Sequence, residues 1–183
     1  MDAKPVAATW DPAKLGRFAL TILLALYGMS ILRNPAGGSF VDSIDLPIHE
    51  TGHLVFGPFG EFIGFLGGTL FQLIMPSVFV GYFVRRKDLH AASVALWWVA
   101  QNFWNISVYV RDARAQELPL VGGGEHDWAY ILGRIGSLQH DQIIAQRFWG
   151  VGVILFFFSI GGGLIALTGP KSPSKGDEPL STT

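Results

Sequence analysis

The sequence contains no cysteine and little charge, since Asp, Glu, Lys and Arg together make up 15% of its 183 residues. Without cysteine the chain forms no disulfide and offers no thiolate, which leaves His, Asp and Glu as ligands for any metal. The 13 basic and 14 acidic residues give a net charge of −1, so the excess of positive charge that attracts nucleic acid is missing. We therefore expect no nucleic-acid partner.

Hydrophobic residues, by contrast, make up half of the chain and give it a mean hydropathy of +0.38. Four apolar runs, at residues 15–32, 62–84, 89–110 and 148–168, are each long enough to cross the hydrocarbon core of a bilayer as a helix. This pattern predicts an all-α protein, a polytopic integral membrane helical bundle with about four full spans in the lipid bilayer.

Composition divides the chain into three regions. Residues 1–14 form a polar N-terminal tail, residues 15–169 the membrane-embedded domain, and residues 170–183 a C-terminal tail with the composition of a disordered segment. The first apolar run is also compatible with a cleaved signal peptide, but Arg33, Asn34 and Pro35 follow it in place of a cleavage site of small residues. We therefore interpret it as a membrane anchor.

One short stretch carries recognisable chemistry. Residues 46–57 (LPIHETGHLVFG) contain His49, Glu50 and His53 in the pattern H-E-x-x-H. Residues four apart share a face of an α-helix, so both imidazoles can bind one metal ion, for which Zn2+ is the ion we expect. In zinc hydrolases with this motif the glutamate is the general base, which makes Glu50 the candidate catalytic residue.

The residues around this motif predict a short helix. Ser43 or Asp45 is expected to cap its N-terminus, Pro47 to lie in its first turn and Gly57 to end it. Such a helix is too short to span a bilayer. If it enters the membrane without crossing, the positive-inside rule places both termini in the cytoplasm, whereas two crossings would give a less asymmetric charge distribution. The first arrangement puts eight basic residues on the cytoplasmic side: Lys4, Lys14, Arg17, Arg85, Arg86, Lys87, Lys171 and Lys175.

A catalytic zinc ion usually has three protein ligands and one open position. The best candidates for the third ligand are Asp127 and His126, which follow a glycine-rich turn at the start of a short helix predicted over residues 128–135. A carboxylate is favoured at a helix N-terminus. Asp112, His140 and His90 are weaker candidates, and we expect His90 to be an exposed residue beside the basic cluster.

Several polar residues interrupt the apolar runs. Gln72, Asn102 and Asn105 are expected to line a polar cleft that admits water, with hydrogen bonding between helices as the alternative role. Asn102 and Asn105 are three apart and share a helix face. Glycines recur every four residues at positions 60, 64 and 68, a spacing that lets two helices approach closely.

The two motifs together resemble the site-2 protease family, the intramembrane zinc metalloproteases. HETGH corresponds to that family's helical zinc motif, and Asp127 to Leu132 (DWAYIL) can be laid over its Asp-Gly-Gly-x-I-L. The resemblance implies that His49, His53 and Asp127 bind zinc, with Glu50 as the base. The family's Leu-Asp-Gly is His-Asp-Trp here, which keeps His126 as an alternative third ligand.

These features predict a zinc-dependent intramembrane endopeptidase that cleaves a membrane-protein substrate in or near the bilayer. The alternative is a catalytically inactive, metalloprotease-like membrane protein that serves as a structural subunit or binds a partner helix. Haem ligation is a weaker interpretation, because His49 and His53 lie on one face of one helix and cannot flank an iron from opposite sides.

Overall fold

A computed structural model describes residues 11–119 and 124–168, so most of both predicted tails lies outside the described residues. The described residues contain no strand, and the predicted all-α class is confirmed. Short 3₁₀ turns precede α3 and α6 and follow α1. The six helices are α1 (Pro12–Arg33), α2 (Asp42–Phe56), α3 (Glu61–Arg85), α4 (Leu89–Arg111), α5 (Asp127–Arg134) and α6 (Asp141–Thr168).

The H-E-x-x-H motif lies within α2, as predicted, and the helix ends before Gly57. The predicted N-caps are wrong, because the helix already begins at Asp42 and Ser43 and Asp45 lie in its first turn. Asp45 is not free to cap, since its buried Oδ1 accepts a hydrogen bond from Trp98 Nε1 at 2.8 Å. Pro47 also lies beyond the first turn, inside the helix, and not in the first turn as predicted.

Helix α4 occupies the middle of the bundle, where it packs along α6 and contacts α1 and α3. Two of its three tryptophans, Trp97 and Trp104, are buried together with Phe156 of α6. Gly152 makes this packing possible, because a Cβ there would lie 2.5 Å from the indole of Trp104. A second core cluster surrounds Trp128 and anchors the short helix α5 against the end of α4.

Helices α2 and α3 approach each other through glycines. A Cβ on Gly52 would overlap the carbonyl group of Gly67, so the two backbones are in direct contact. Gly68 faces the imidazole of His49, and Gly64 faces Gly57. Of the three glycines predicted to allow close packing, Gly64 and Gly68 face the α2 segment, whereas Gly60 precedes α3 and has no neighbour within 4 Å of an added Cβ.

Within the part of the chain that the structure describes, three segments are long and apolar enough to cross a membrane, namely α1, α3 and residues 138–168, which include α6. Their outward faces are apolar, with Leu26 68% exposed on α1 and Ile165 70% exposed on α6. Large exposed apolar surfaces of this kind suit lipid and are unusual in water. Helix α4 has the length of a span, at 23 residues, but is not among the three.

Candidate metal centre

His49, His53 and Asp127 form a group that could hold a metal ion, with ligand atoms all within 4.8 Å of one another. Asp127 Oδ2 lies 2.9 Å from His49 Nε2 and 3.3 Å from His53 Nε2. With zinc–ligand bonds of about 2.0–2.1 Å, the edge of a tetrahedral site measures about 3.3 Å. The two separations between histidine and aspartate atoms are therefore close to those of ligands around one small cation.

Hydrogen bonds on the far side of each imidazole determine which nitrogen faces the centre. His49 Nδ1 lies 3.0 Å from Gln72 Oε1, and His53 Nδ1 lies 2.8 Å from the carbonyl oxygen of Gly64. A carbonyl oxygen only accepts hydrogen bonds, so both Nδ1 atoms are donors, and each Nε2 faces the centre with a lone pair whenever it carries no proton. A hydrogen bond from the ring nitrogen that does not bind the metal orients a metal-bound histidine.

The donor set needs a proton or a metal ion between its atoms. Although burial favours the neutral acid, the two histidines hold the pKa of the Asp127 carboxyl below its ordinary value. Asp127 is therefore a carboxylate near neutral pH and offers only acceptor oxygens. Two imidazole lone pairs and a carboxylate oxygen at these distances repel one another unless a proton or a metal ion lies between them. The residues present fit a metal ion, and zinc suits two nitrogen ligands and one oxygen ligand.

Local structure explains how Asp127 reaches the centre. It is the first residue of α5, and its backbone N–H lies 3.3 Å from the hydroxyl oxygen of Tyr109, which accepts a hydrogen bond from it. The preceding residue, His126, caps the helix, since its Nδ1 accepts a hydrogen bond from the N–H of Ala129. Trp128 is buried in the core and fixes the helix in place.

The structure does not bring the alternative third ligand, His126, to the histidine pair. Its ring stacks on Tyr109, with 4.2 Å between ring centroids, and its Nε2 faces Asp112 Oδ2 at 3.4 Å. Burial lowers the pKa of His126, against the opposing effect of Asp112. This keeps His126 neutral, with Nδ1 as the acceptor that caps α5 and Nε2–H directed towards Asp112.

The remaining candidates for the third ligand do not lie beside the two histidines. Asp112 also accepts hydrogen bonds from the backbone N–H groups of Glu117 and Leu118, so it organises the turn after α4. His140 is exposed in the turn before α6. The expectation that His90 is exposed is wrong, because its ring is buried where α4 meets α1 and lies 3.1 Å from Thr21 Oγ1.

A cavity of about 790 Å³ opens beside the three ligand atoms, a volume typical of small-molecule sites. Glu50 lies on its wall together with Gln72 and Asn105, whereas Asn102 does not line it. Asn102 instead donates to Asp45 Oδ1 at 3.3 Å. Among the described residues, the formally charged side chains on the wall are all acidic: Asp42, Asp45, Glu50, Glu61, Glu125 and Asp127.

Sequence reasoning missed two residues of the site, Asp42 and Tyr109. Both line the cavity. Asp42 precedes His49 by seven positions, two helical turns, and so lies on the same face of α2. This spacing was a signal that could have identified it. The contact of Tyr109 with Asp127 depends on how the turn after α4 folds back, which no local pattern shows.

No protein-family model matches the chain, and no curated protein and no solved structure matches it either. The chemical interpretation of the site therefore depends on its own geometry.

Proposed function

We propose that this protein is a zinc-dependent intramembrane endopeptidase, similar in its chemistry to the site-2 proteases. The observation that carries the proposal is the convergence of His49, His53 and Asp127 beside a cavity that also contains Glu50. Three protein ligands with an adjacent open space are typical of catalytic zinc sites, whereas structural sites are closed by four ligands.

Each step of the proposed reaction uses the chain's own groups. His49, His53 and Asp127 would hold the zinc ion, which would lower the pKa of a bound water towards 7 and polarise a carbonyl group. Glu50 takes one proton from the attacking water while the water oxygen bonds to the carbonyl carbon of the scissile peptide. As the C–N bond breaks, Glu50 delivers this proton to the leaving nitrogen. The products are a carboxylic acid and an amine.

The proposed membrane arrangement has four spans, α1, α3, α4 and α6, with both termini in the cytoplasm. The polar face of α4 supports its inclusion, because Gln101, Asn102 and Asn105 form hydrogen bonds with α2 and do not face lipid. Helix α2 measures about 22 Å at 1.5 Å per residue, too short for the roughly 30 Å core, so it enters beside α3 without crossing.

The charge of the cavity supports a substrate segment that is neutral or positively charged near the scissile bond. Its acidic wall attracts cations and disfavours anions, and little water is available in a membrane to screen this effect. A phosphorylated or strongly acidic segment would meet like charge on several sides.

Replacing Glu50 tests the enzymatic role. The purified chain, loaded with zinc in detergent, is incubated with fluorescence-quenched transmembrane peptides of mixed sequence. We expect wild type to cleave some of them and Glu50→Gln to bind zinc equally well but cleave at least about 100-fold more slowly. Glu61→Gln, a matched change on the same wall, should remain active.

Two outcomes would contradict the proposal. If Glu50→Gln cleaves at the wild-type rate, Glu50 is not the base. If zinc-loaded wild type cleaves none of the peptides, the result favours the alternative, an inactive metalloprotease-like subunit that binds a partner helix.

A further inference from the structure

A line of hydrogen bonds leads from the metal centre to a carboxylate two helical turns away. His49 Nδ1 lies 3.0 Å from Gln72 Oε1, and Gln72 Nε2 donates to Asn105 Oδ1 at 2.9 Å. Asn105 Nδ2 in turn donates to Asp42 Oδ1 at 3.0 Å. Three helices contribute, since Asp42 and His49 belong to α2, Gln72 to α3 and Asn105 to α4.

The Asp42 carboxylate at the end of this line determines which group donates and which accepts at each hydrogen bond. The Asp42 carboxylate only accepts hydrogen bonds, so Asn105 must turn its NH₂ group towards Asp42 and its oxygen towards Gln72. Gln72 must then direct its own NH₂ group at Asn105 and its oxygen at His49. His49 is left with an acceptor beside Nδ1, which carries the proton, and its Nε2 is free to bind a metal ion.

Asp42 is well suited to anchor this line. Its Oδ1 also accepts a hydrogen bond from Gln101 Nε2 at 2.7 Å, and its Oδ2 accepts one from the backbone N–H of Ser39. Each of these contacts comes from a donor, so both oxygens of Asp42 act as acceptors.

The two histidines differ in the group that accepts a hydrogen bond from Nδ1. His53 Nδ1 donates to a backbone carbonyl, that of Gly64, which also only accepts, so the proton position of His53 needs no side chain. His49 lacks a backbone partner of this kind among its described contacts and depends on the amide of Gln72.

We propose that Asp42 is a positioning residue for the metal centre, which acts through Asn105 and Gln72 to fix the orientation and the tautomer of His49. The inference rests on the metal site and not on peptide hydrolysis, so it stands even if the protein proves to be inactive. Asp42 lines the cavity, but its hydrogen bonds lead to the metal ligand His49 only through Asn105 and Gln72.

The experiment measures zinc affinity of the full chain in detergent, by competition between the protein and a chromogenic chelator with Zn2+ as the only added metal. Asn105→Leu interrupts the line. We expect it to lower zinc affinity about 10- to 100-fold, the effect of losing a partner of a metal-bound histidine. Gln72→Met should lower it at least as much, because it removes the acceptor at His49 itself.

Gln101→Leu is the matched control. Gln101 lies one turn before Asn105 on α4 and donates to the same Asp42 oxygen, but it does not lead to Gln72. We expect Gln101→Leu to keep zinc affinity close to wild type. The double variant Asn105→Leu/Gln72→Met should bind zinc like Gln72→Met alone, because both changes interrupt one path.

A spectroscopic measurement separates positioning from general loosening of the bundle. In zinc-loaded protein with ¹⁵N-labelled histidine, Asn105→Leu should shift the Nδ1–H signal of His49 and leave that of His53 in place. Asp42→Leu, which removes the acceptor at the end of the line, should have the same effects and replaces Asn105→Leu if that variant does not fold. Equal affinities for the Asn105 and Gln101 variants, or additive losses in the double variant, would overturn the proposal.

Discussion

His49 Nε2 lies 2.9 Å from Asp127 Oδ2, although the two residues are 78 positions apart in the chain. His53 Nε2 lies 3.3 Å from the same oxygen. One carboxylate oxygen of α5 therefore faces two imidazole nitrogens of α2. The predictions below depend on this convergence, because metal binding, the cavity and the proposed hydrolysis all require it.

Metal binding should depend on three side chains. Elemental analysis of purified protein is expected to find about one zinc per wild-type chain, since the three ligand atoms can surround a single ion. His49→Ala, His53→Ala and Asp127→Ala should each lose most of that zinc. His140→Ala, which changes an exposed histidine, serves as the control and should keep it. Zinc retention in Asp127→Ala would exclude Asp127 as the third ligand.

Gly68→Ala should disrupt the centre without removing a ligand. The added Cβ would lie 2.5 Å from His49 Nε2, and because the neighbouring backbones are in contact the imidazole must move. We expect a large loss of zinc affinity in a chelator competition. Gly81→Ala, in the same helix with nothing within 4 Å of the added Cβ, should bind zinc like wild type. Equal behaviour of the two variants would contradict the packing described for His49.

Membrane topology can be measured with reporter fusions in bacteria. A green fluorescent protein fused after the last residue of the chain should fluoresce, and alkaline phosphatase at the same position should be inactive, because both termini are proposed to be cytoplasmic. Fusions within the turn between α3 and α4, which contains Arg86 and Lys87, should behave in the same way. Active phosphatase at either position would exclude the four-span arrangement.

Substrate charge should affect cleavage. A quenched transmembrane peptide with two lysines next to the scissile bond is expected to be cleaved faster than its twin with two glutamates, because the cavity wall is acidic. Glu125→Gln, which removes one of these charges, should reduce the difference. Cleavage of the two peptides at equal rates would show that the cavity charge does not select the substrate.

The sequence alone determined the helices and one side of the metal site. The period of the α-helix places His49 and His53 on one face whatever surrounds them, and the length of the apolar runs predicts membrane-spanning helices without knowledge of their neighbours. Local information was also sufficient to end α2 at Gly57. It failed at the start of α2, where contact with Trp98 determines the role of Asp45.

The tertiary structure alone decided which of two neighbouring candidate residues belongs to the site. Asp127 and His126 are adjacent, yet one faces the histidines and the other caps α5, because the cap residue is extended and the next residue is helical. Asn102 and Asn105 share a helix face, but only Asn105 continues to Gln72, since each donates to a different aspartate of α2. Periodicity fixes which residues share a face. The register between two packed helices fixes which of their residues meet. That register depends on contacts between residues that are far apart in the chain.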